Sequence, residues 1–166
     1  MAEMKNAKYI QTDYVNFFAP PPAEMLKLMD DQKKAGKYVE STPLFGLDSS
    51  VIKDSFIVSC TLLTRKNGEG TVNTELAHTH DFDEVWVFVG TDTKNPHDLG
   101  GELDFWLEDD HFLIDKSCMV FVPRGMKRGP CGVRRIDRPI MFFQAANAST
   151  YGRTWEGKAE QGTGKK

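Results

Sequence analysis

The chain lacks long apolar runs and a charge excess of either sign. Among its 166 residues, no stretch approaches the roughly 18 consecutive apolar residues of a membrane-spanning helix. The 21 basic and 24 acidic residues leave a net charge of −3, which gives no overall attraction to nucleic acid or to an anionic membrane. We therefore expect neither a membrane protein nor a nucleic-acid-binding protein.

Cysteine is scarce, and no internal repeat is present. Cys60, Cys118 and Cys131 are odd in number and far apart, so they indicate reduced thiols rather than a disulfide framework. Residues 1–14 contain no apolar segment of the kind that a signal peptide carries. The sequence predicts a cytoplasmic protein of one domain, which at this length can bury a sizeable core.

A single helix is predicted near the start of the chain, in residues 19–37, APPPAEMLKLMDDQKKAGK. Proline is tolerated in the first turn of a helix, and Gly36 can end it. Met25, Leu28 and Met29 fall on one face. This pattern is typical of a helix that covers a sheet.

From residue 38 onward the pattern changes to short strands separated by turn residues. The predicted strands are SFIVSCTLLT, TVNTELAHTH, EVWVFVG, GELDFWLED, HFLID, CMVFVP, CGVRRI and PIMFFQAA. Many short strands of this kind are typical of a sandwich or a small barrel. We expect an N-terminal arm with its helix (1–37), an all-β barrel (38–151) and a flexible tail rich in Gly and Lys (152–166).

Two of the four histidines, His78 and His80, lie two residues apart, and Glu84 follows in the segment AHTHDFDEVWVFVG. Side chains two apart on a strand project to the same side. Two imidazoles and one carboxylate form a facial ligand set that leaves positions open for water, dioxygen or substrate. The pattern predicts a site for a divalent metal ion, and iron, manganese, nickel and zinc all fit these ligands.

Aromatic side chains follow Glu84 along its strand. Trp86 and Phe88 share its parity, so they should face the same interior. A pocket with an aromatic wall beside a polar centre is the usual form of a small-molecule site, although plain core packing gives the same pattern. Phe142 and Gln144 could face this cavity from another strand.

The segment HTHDFDEVWVFVG resembles the first motif of the cupin superfamily, with Gly90 at the position of the motif's glycine. SCMVFVPRGMKRGPCG resembles the second motif in part, because Pro123 and Gly125 match it. The resemblance covers residues 55–146. It implies a cupin-type β-barrel, which is a jelly-roll-like double sheet, and a metal held by residues of the first motif.

Three positions depart from the second motif. Ser117 stands where glycine is usual and Gly132 where asparagine is usual. Arg128 stands where the fourth metal ligand, a histidine, is expected. Arginine stays protonated and has no lone pair for a cation, so Arg128 is no ligand.

Three interpretations of Arg128 follow. In the first, the metal stays with His78, His80 and Glu84, and Arg128 binds a substrate carboxylate or phosphate at the pocket rim. In the second, Arg128 replaces the charge of the metal and pairs with Glu84. In the third, Arg128 points outward and another group, such as His111, completes the site.

The resemblance implies a metal-dependent cupin enzyme of the dioxygenase, isomerase, decarboxylase or hydro-lyase type, acting on a small anionic molecule. Glu84 and Arg128 would be catalytic, and Arg128, Trp86 and Phe88 would bind the substrate. The alternative is a metal-free cupin that binds or senses a small molecule, with Arg128 in place of the metal. We also expect a homodimer, with the aromatic N-terminal arm reaching over the neighbour.

Overall fold

The computed structural model describes residues 5–155 and 158–161, and these residues form mainly antiparallel strands. In chain order the strands are β1 (Tyr38–Leu47), β2 (Ile57–Asn67), β3 (Val72–Glu75), β4 (Glu84–Gly90), β5 (Asp98–Leu107), β6 (Asp110–Lys116), β7 (Cys118–Val122), β8 (Arg128–Ile136), β9 (Ile140–Ala146), β10 (Gly152–Trp155) and β11 (Lys158–Gln161). One α-helix, α1 (Ala23–Lys34), and a short 3-10 turn (Ala7–Tyr9) precede them.

Two sheets pack face to face around one apolar core. The first has the strand order β1-β2-β9-β4-β7 and the second has the order β3-β8-β5-β6, while β10 and β11 form a separate hairpin. The core contains Trp86 and Phe88 from the first sheet and Leu103, Phe105 and Val133 from the second. The structure confirms the fold class expected from the sequence, an all-β double sheet with a helical N-terminal arm.

Side chains alternate between the two faces of β4, and this alternation decides which of them point into the barrel. Glu84, Trp86 and Phe88 are buried, and the valines between them are half-buried. This is the parity predicted from the sequence. Gly90 ends the strand at a close approach, because a Cβ atom there would lie 2.0 Å from the carbonyl oxygen of Asp98.

Helix α1 is fixed to the edge strand β3 by one side chain. The amide group of Gln32 accepts from the backbone N–H of Asn73 at 2.8 Å and donates to its carbonyl at 2.9 Å. It thereby satisfies both backbone groups of an edge residue. Met25 is buried beneath the helix, and the chain leaves the helix through Gly36 at a φ of 71°. The predicted helix is confirmed.

The flexible tail predicted for residues 152–166 does not begin at 152. Gly152–Trp155 form β10, in which Arg153 and Trp155 are buried. The alternation of YGRTW has the period of a strand, but the Gly- and Lys-rich composition around it obscured that signal. Lys158–Gln161 pair with β10 as β11, and the remainder of the predicted tail lies outside the described residues.

The N-terminal arm packs on its own barrel. Phe17 is buried beside Ile57 and Tyr151, and the Arg153 guanidinium donates to the carbonyl oxygens of Ala19 and Pro20 at 3.3 and 3.1 Å. The arm therefore packs on its own barrel next to β10, and its expected reach over a neighbouring chain stays a prediction. Within the described part of the chain, no helix has the length and apolar character that crossing a bilayer requires.

We predict that Gln32→Ala loosens α1, because both hydrogen bonds to Asn73 are lost. The expected cost is about 2 kcal/mol of unfolding free energy, at about 1 kcal/mol for each bond. Urea unfolding and the hydrogen exchange of α1 measure it. Lys33→Ala, a change at the exposed neighbouring position, is the control, and equal stability of the two variants would contradict the role of Gln32.

Candidate functional site

Backbone pairing brings the histidine segment against the start of β8. The N–H groups of His78 and Arg128 each donate to the other residue's carbonyl at 3.0 Å. Thr79 exchanges two similar bonds with Thr154 of β10, at 3.1 and 2.8 Å. The segment is therefore held between β8 and β10, and Arg128 lies opposite His78.

The turn that carries Pro123 and Gly125 is hydrogen-bonded to the first motif. Gly125 N–H donates to the carbonyl of His80, and Arg124 N–H donates to the Asp83 carboxylate, both at 2.9 Å. The bond from Arg124, together with that from the Asn147 side chain, holds the pKa of Asp83 below its usual value. Gly125 has a φ of 78°, a conformation that favours glycine. The partial second motif is therefore joined physically to the first.

His78, His80, Glu84 and Arg128 converge on one buried centre. The Nε2 atoms of the two imidazoles lie 3.1 Å apart. Arg128 Nη2 donates to His80 Nε2 at 2.9 Å and lies 3.4 Å from Glu84 Oε1. Arg128 Nε lies 2.5 Å from Glu84 Oε2, an ion contact whose angle is not that of a hydrogen bond. The structure thus brings together the three predicted metal ligands and the arginine that departs from the motif.

Both imidazoles are neutral and present their Nε2 lone pairs to the centre. The Nδ1–H of His78 donates to the Leu76 carbonyl at 2.8 Å, and that of His80 donates to the Gly152 carbonyl at 2.5 Å. A carbonyl only accepts, so these bonds fix the proton on Nδ1. Burial, followed by the charge of Arg128, lowers the pKa of His78 to about 2 and that of His80 to about 4.

Arg128 is fully buried and has an aromatic neighbour as well as the carboxylate. Its Cζ lies 4.2 Å from the centre of the Trp86 ring, a distance at which a cation–π attraction operates. Gln144 of β9 donates to Glu84 Oε1. Among the described residues, Arg128 Nη1 finds no hydrogen-bond partner. The guanidinium is held by His80, Glu84 and Trp86 together.

The four residues do not fit a divalent metal in this arrangement. A cation needs a common vacant position about 2 Å from each ligand atom, and here the guanidinium lies between the imidazole and the carboxylate. Its positive charge would also repel a second cation. Among residues 5–155, no group of three or more His, Cys, Asp or Glu side chains is arranged to hold a metal ion. The assignment of His78, His80 and Glu84 as metal ligands remains a prediction.

A second buried ion contact lies beside the first, and the sequence did not reveal it. Arg153 Nη1 is 3.6 Å from Glu75 Oε1, which is itself 3.7 Å from His78 Nδ1. The Arg153 guanidinium also lies over the Trp155 ring, with Cζ at 4.7 Å from its centre. The spacing of Arg153 and Trp155, two residues apart, was the sequence signal that could have predicted a strand with both side chains on one face. Glu75 lies three residues before the first motif, and no sequence pattern pointed to it.

A cavity of about 570 Å³ lies in the core between the two sheets and α1. Two residues of its wall adjoin the charged centre: Trp86 lies beside Arg128, and Glu75 lies beside His78. Its apolar wall comes from both sheets. That wall includes Trp86, Phe88, Leu103, Phe105, Val133 and Phe142. Glu75 lies in its wall near the buried ion contacts, and Met29, Lys33, Lys37 and Tyr38 line the part next to α1.

Only two of the three predicted substrate-binding residues line the cavity. Trp86 and Phe88 line the cavity, whereas Arg128 does not. The rim position that the first interpretation required for Arg128 is wrong, because the Glu84 contact draws the guanidinium into the core. His111 does not complete the site. It lies on the outer face of the second sheet, stacked on Trp106 and 2.8 Å from Asp104 Oδ1.

No protein-family model and no curated protein matches this sequence. Solved structures similar to the chain are cupin and double-stranded β-helix proteins. KdgF from a Halomonas species is 14% identical with a TM-score of 0.39, over 64% of this chain and 77% of that one. Oxalate oxidase in complex with glycolate is 11% identical with a TM-score of 0.46, over 87% of this chain and 60% of that one.

An uncharacterised conserved protein with a double-stranded β-helix domain, from Klebsiella pneumoniae, is 7% identical with a TM-score of 0.41. The match covers 89% of this chain and 91% of that one. This chain spans 60% of the oxalate oxidase chain, so no whole-protein activity transfers with the likeness. The comparisons concern the fold and carry no conclusion about substrate, metal or reaction.

We predict that Glu84→Gln and Arg128→Met each destabilise the protein by about 3–5 kcal/mol, because each leaves one charge buried without its partner. The double variant should recover most of the loss, since no unpaired charge remains. Chemical denaturation of the wild type, the two single variants and the double variant gives the coupling energy between Glu84 and Arg128. Asp31→Asn, which breaks the exposed Lys27–Asp31 pair, should cost less than about 0.5 kcal/mol. Additive effects of the two buried substitutions would contradict the pairing.

Proposed function

We propose that this protein binds a small, mainly apolar molecule inside its barrel and does so without a metal. The cavity of about 570 Å³ in the aromatic core carries the proposal. Its volume falls within the usual range for small-molecule sites, about 300–1,000 Å³. A mainly apolar lining with a few polar groups is also the usual composition of such sites.

The same residues build the core and surround the cavity, which supports a binding role over a packing one. Trp86, Phe88, Phe105 and Val133 belong to the main core cluster and also line the cavity. Protein interiors are close-packed and contain few voids larger than a water molecule. A cavity of this size deprives large aromatic rings of contacts, and a bound molecule would restore them.

In this proposal Arg128 is the resident cation of the barrel. It neutralises Glu84, donates to His80 and supports one side of Trp86. Trp86 also lines the cavity. Arg128 therefore acts as a positioning residue for the aromatic wall and does not itself contact the bound molecule.

The second candidate function is the metal-dependent enzyme that the family resemblance implies. One observation favours it. The Nδ1–H bonds of His78 and His80 to backbone carbonyls orient both Nε2 lone pairs toward one point, as in histidines that bind metals. Iron, manganese, nickel or zinc could use these atoms with Glu84 only if Arg128 moved away. Such a metal would polarise a substrate oxygen or bind dioxygen.

The homodimer remains part of the proposal. Because the N-terminal arm packs on its own barrel, the better candidate surface is the outer side of β7, where Met119 and Phe121 are exposed. Exposed apolar side chains grouped on a strand often mark a protein contact. A cytoplasmic location, and no role in binding nucleic acid, likewise remain predictions.

We predict that Thr61→Phe fills the cavity and weakens binding of the neutral dye Nile red at least about tenfold. Thr61 lines the cavity from β2, so a phenyl ring there occupies ligand space. Fluorescence titration measures the binding, with and without a chelator. Thr64→Phe makes the same change at a position outside the cavity lining and should bind as the wild type does. Equal binding by both variants, or loss of binding on chelation, would count against the proposal.

We predict that protein purified without added metal contains less than about 0.1 metal ion per chain, because the guanidinium occupies the centre. Arg128→His should raise the affinity for zinc, since it removes the competing charge and supplies an imidazole. Elemental analysis and zinc titration measure both. Gln144→Glu adds a carboxylate but leaves Arg128 in place, so its affinity for zinc should rise much less than that of Arg128→His. About one metal ion per wild-type chain would favour the enzyme.

A further inference from the structure

The cavity wall contains one carboxyl group, that of Glu75, which lies close to charged groups without being hydrogen-bonded to them. Glu75 lines the cavity, and 21% of its side-chain surface stays exposed. Among the described residues, its nearest charged or ionisable partners are Arg153 Nη1 at 3.6 Å and His78 Nδ1 at 3.7 Å. Both distances are longer than a good hydrogen bond. The carboxylate therefore has acceptor capacity left for a molecule in the cavity.

The cavity wall contains two other acids, Asp30 and Asp104, and both already have partners. Asp30 Oδ2 lies 2.5 Å from Lys34 Nζ. Asp104 Oδ2 accepts from the Thr71 hydroxyl at 2.6 Å, and Oδ1 accepts from His111 Nε2 at 2.8 Å. The lysines of the wall are Lys33, which belongs to α1, and Lys37, which follows it. Among the acids of the wall, Glu75 is therefore the one with acceptor capacity left for a molecule in the cavity.

Among the described residues, each of the two carboxyl groups here already has a guanidinium neighbour. Arg153 lies beside Glu75, and Arg128 lies beside Glu84. A ligand that brought a full charge would add a buried charge without a counterion, which costs several kcal/mol. A neutral donor leaves these pairs intact and satisfies the acceptor.

We propose that the molecule bound in the cavity carries a neutral hydroxyl group, as an apolar alcohol or phenol does, and that this hydroxyl donates to Glu75. The inference rests on the proposed binding function and adds a substrate class to it. It replaces the small anionic molecule expected from the sequence. Glu75 would then be the residue that selects among ligands of similar shape, since the rest of the wall is mainly apolar.

Three biphenyls of similar shape test this inference: 4-hydroxybiphenyl, 4-methylbiphenyl and biphenyl-4-carboxylate. Calorimetry on the wild-type protein should find the hydroxyl compound bound about tenfold more tightly than the methyl compound. The carboxylate should bind more weakly than either. In Glu75→Met the preference for hydroxyl over methyl should disappear. Glu75→Gln, which keeps the shape and an acceptor oxygen, should retain part of it and serves if Glu75→Met does not fold.

The outcomes separate this inference from the proposed function. Equal binding of the hydroxyl and methyl compounds would overturn the role of Glu75 and leave the apolar binding site intact. Tightest binding of the carboxylate would overturn the neutral ligand class. Failure of all three compounds to bind would overturn both proposals. Asp104→Asn is the matched control, and its hydroxyl preference should equal that of the wild type.

Discussion

The contact between Arg128 and Glu84 is the constraint on which the interior of the barrel depends. Removing a guanidinium and a carboxylate from water costs several kcal/mol for each ion, and mutual attraction offsets this only with good geometry and further bonds. Here His80 accepts from the guanidinium, Gln144 donates to the carboxylate and Trp86 contacts the cation. These partners come from β4, from β9 and from the histidine segment that precedes β4, so the contact joins separate parts of the barrel.

Trp86 connects the charged centre to the apolar cavity. The Arg128 guanidinium lies over its ring, and the same side chain forms part of the cavity wall. The ring is large and close to its neighbours Phe105 and Phe142, with centroids 5.4 and 4.9 Å away. A change in the ion contact would therefore alter the shape of the wall. The centre and the cavity act as one unit, although only one of them is charged.

Local patterns were enough to predict the fold and half of the site. The parity of Glu84 and Trp86 depends only on strand geometry, and the structure has it as expected. The strand predicted through His78 and His80 ends earlier, at Glu75, but the two imidazoles still converge as predicted. The direction of Arg128 did not follow, because it depends on which partner offers the larger electrostatic gain. Long-range pairing of β10 with the histidine segment was equally invisible, so residues 152–155 were assigned to a flexible tail. The cavity is a property of packing between sheets, which no single strand encodes.

A guanidinium at this centre can do less chemistry there than a metal ion could. A catalytic metal works because it keeps a coordination position open for water or substrate. A guanidinium has fixed donors. In this barrel Nε faces Glu84 and Nη2 faces His80, while Trp86 covers one side. Such a cation can hold charge in place, but it offers no open position to a reacting oxygen. Under the proposed function the interior recognises a molecule, and the carboxyl group of Glu75, which lines the cavity, supplies the polar part of that recognition.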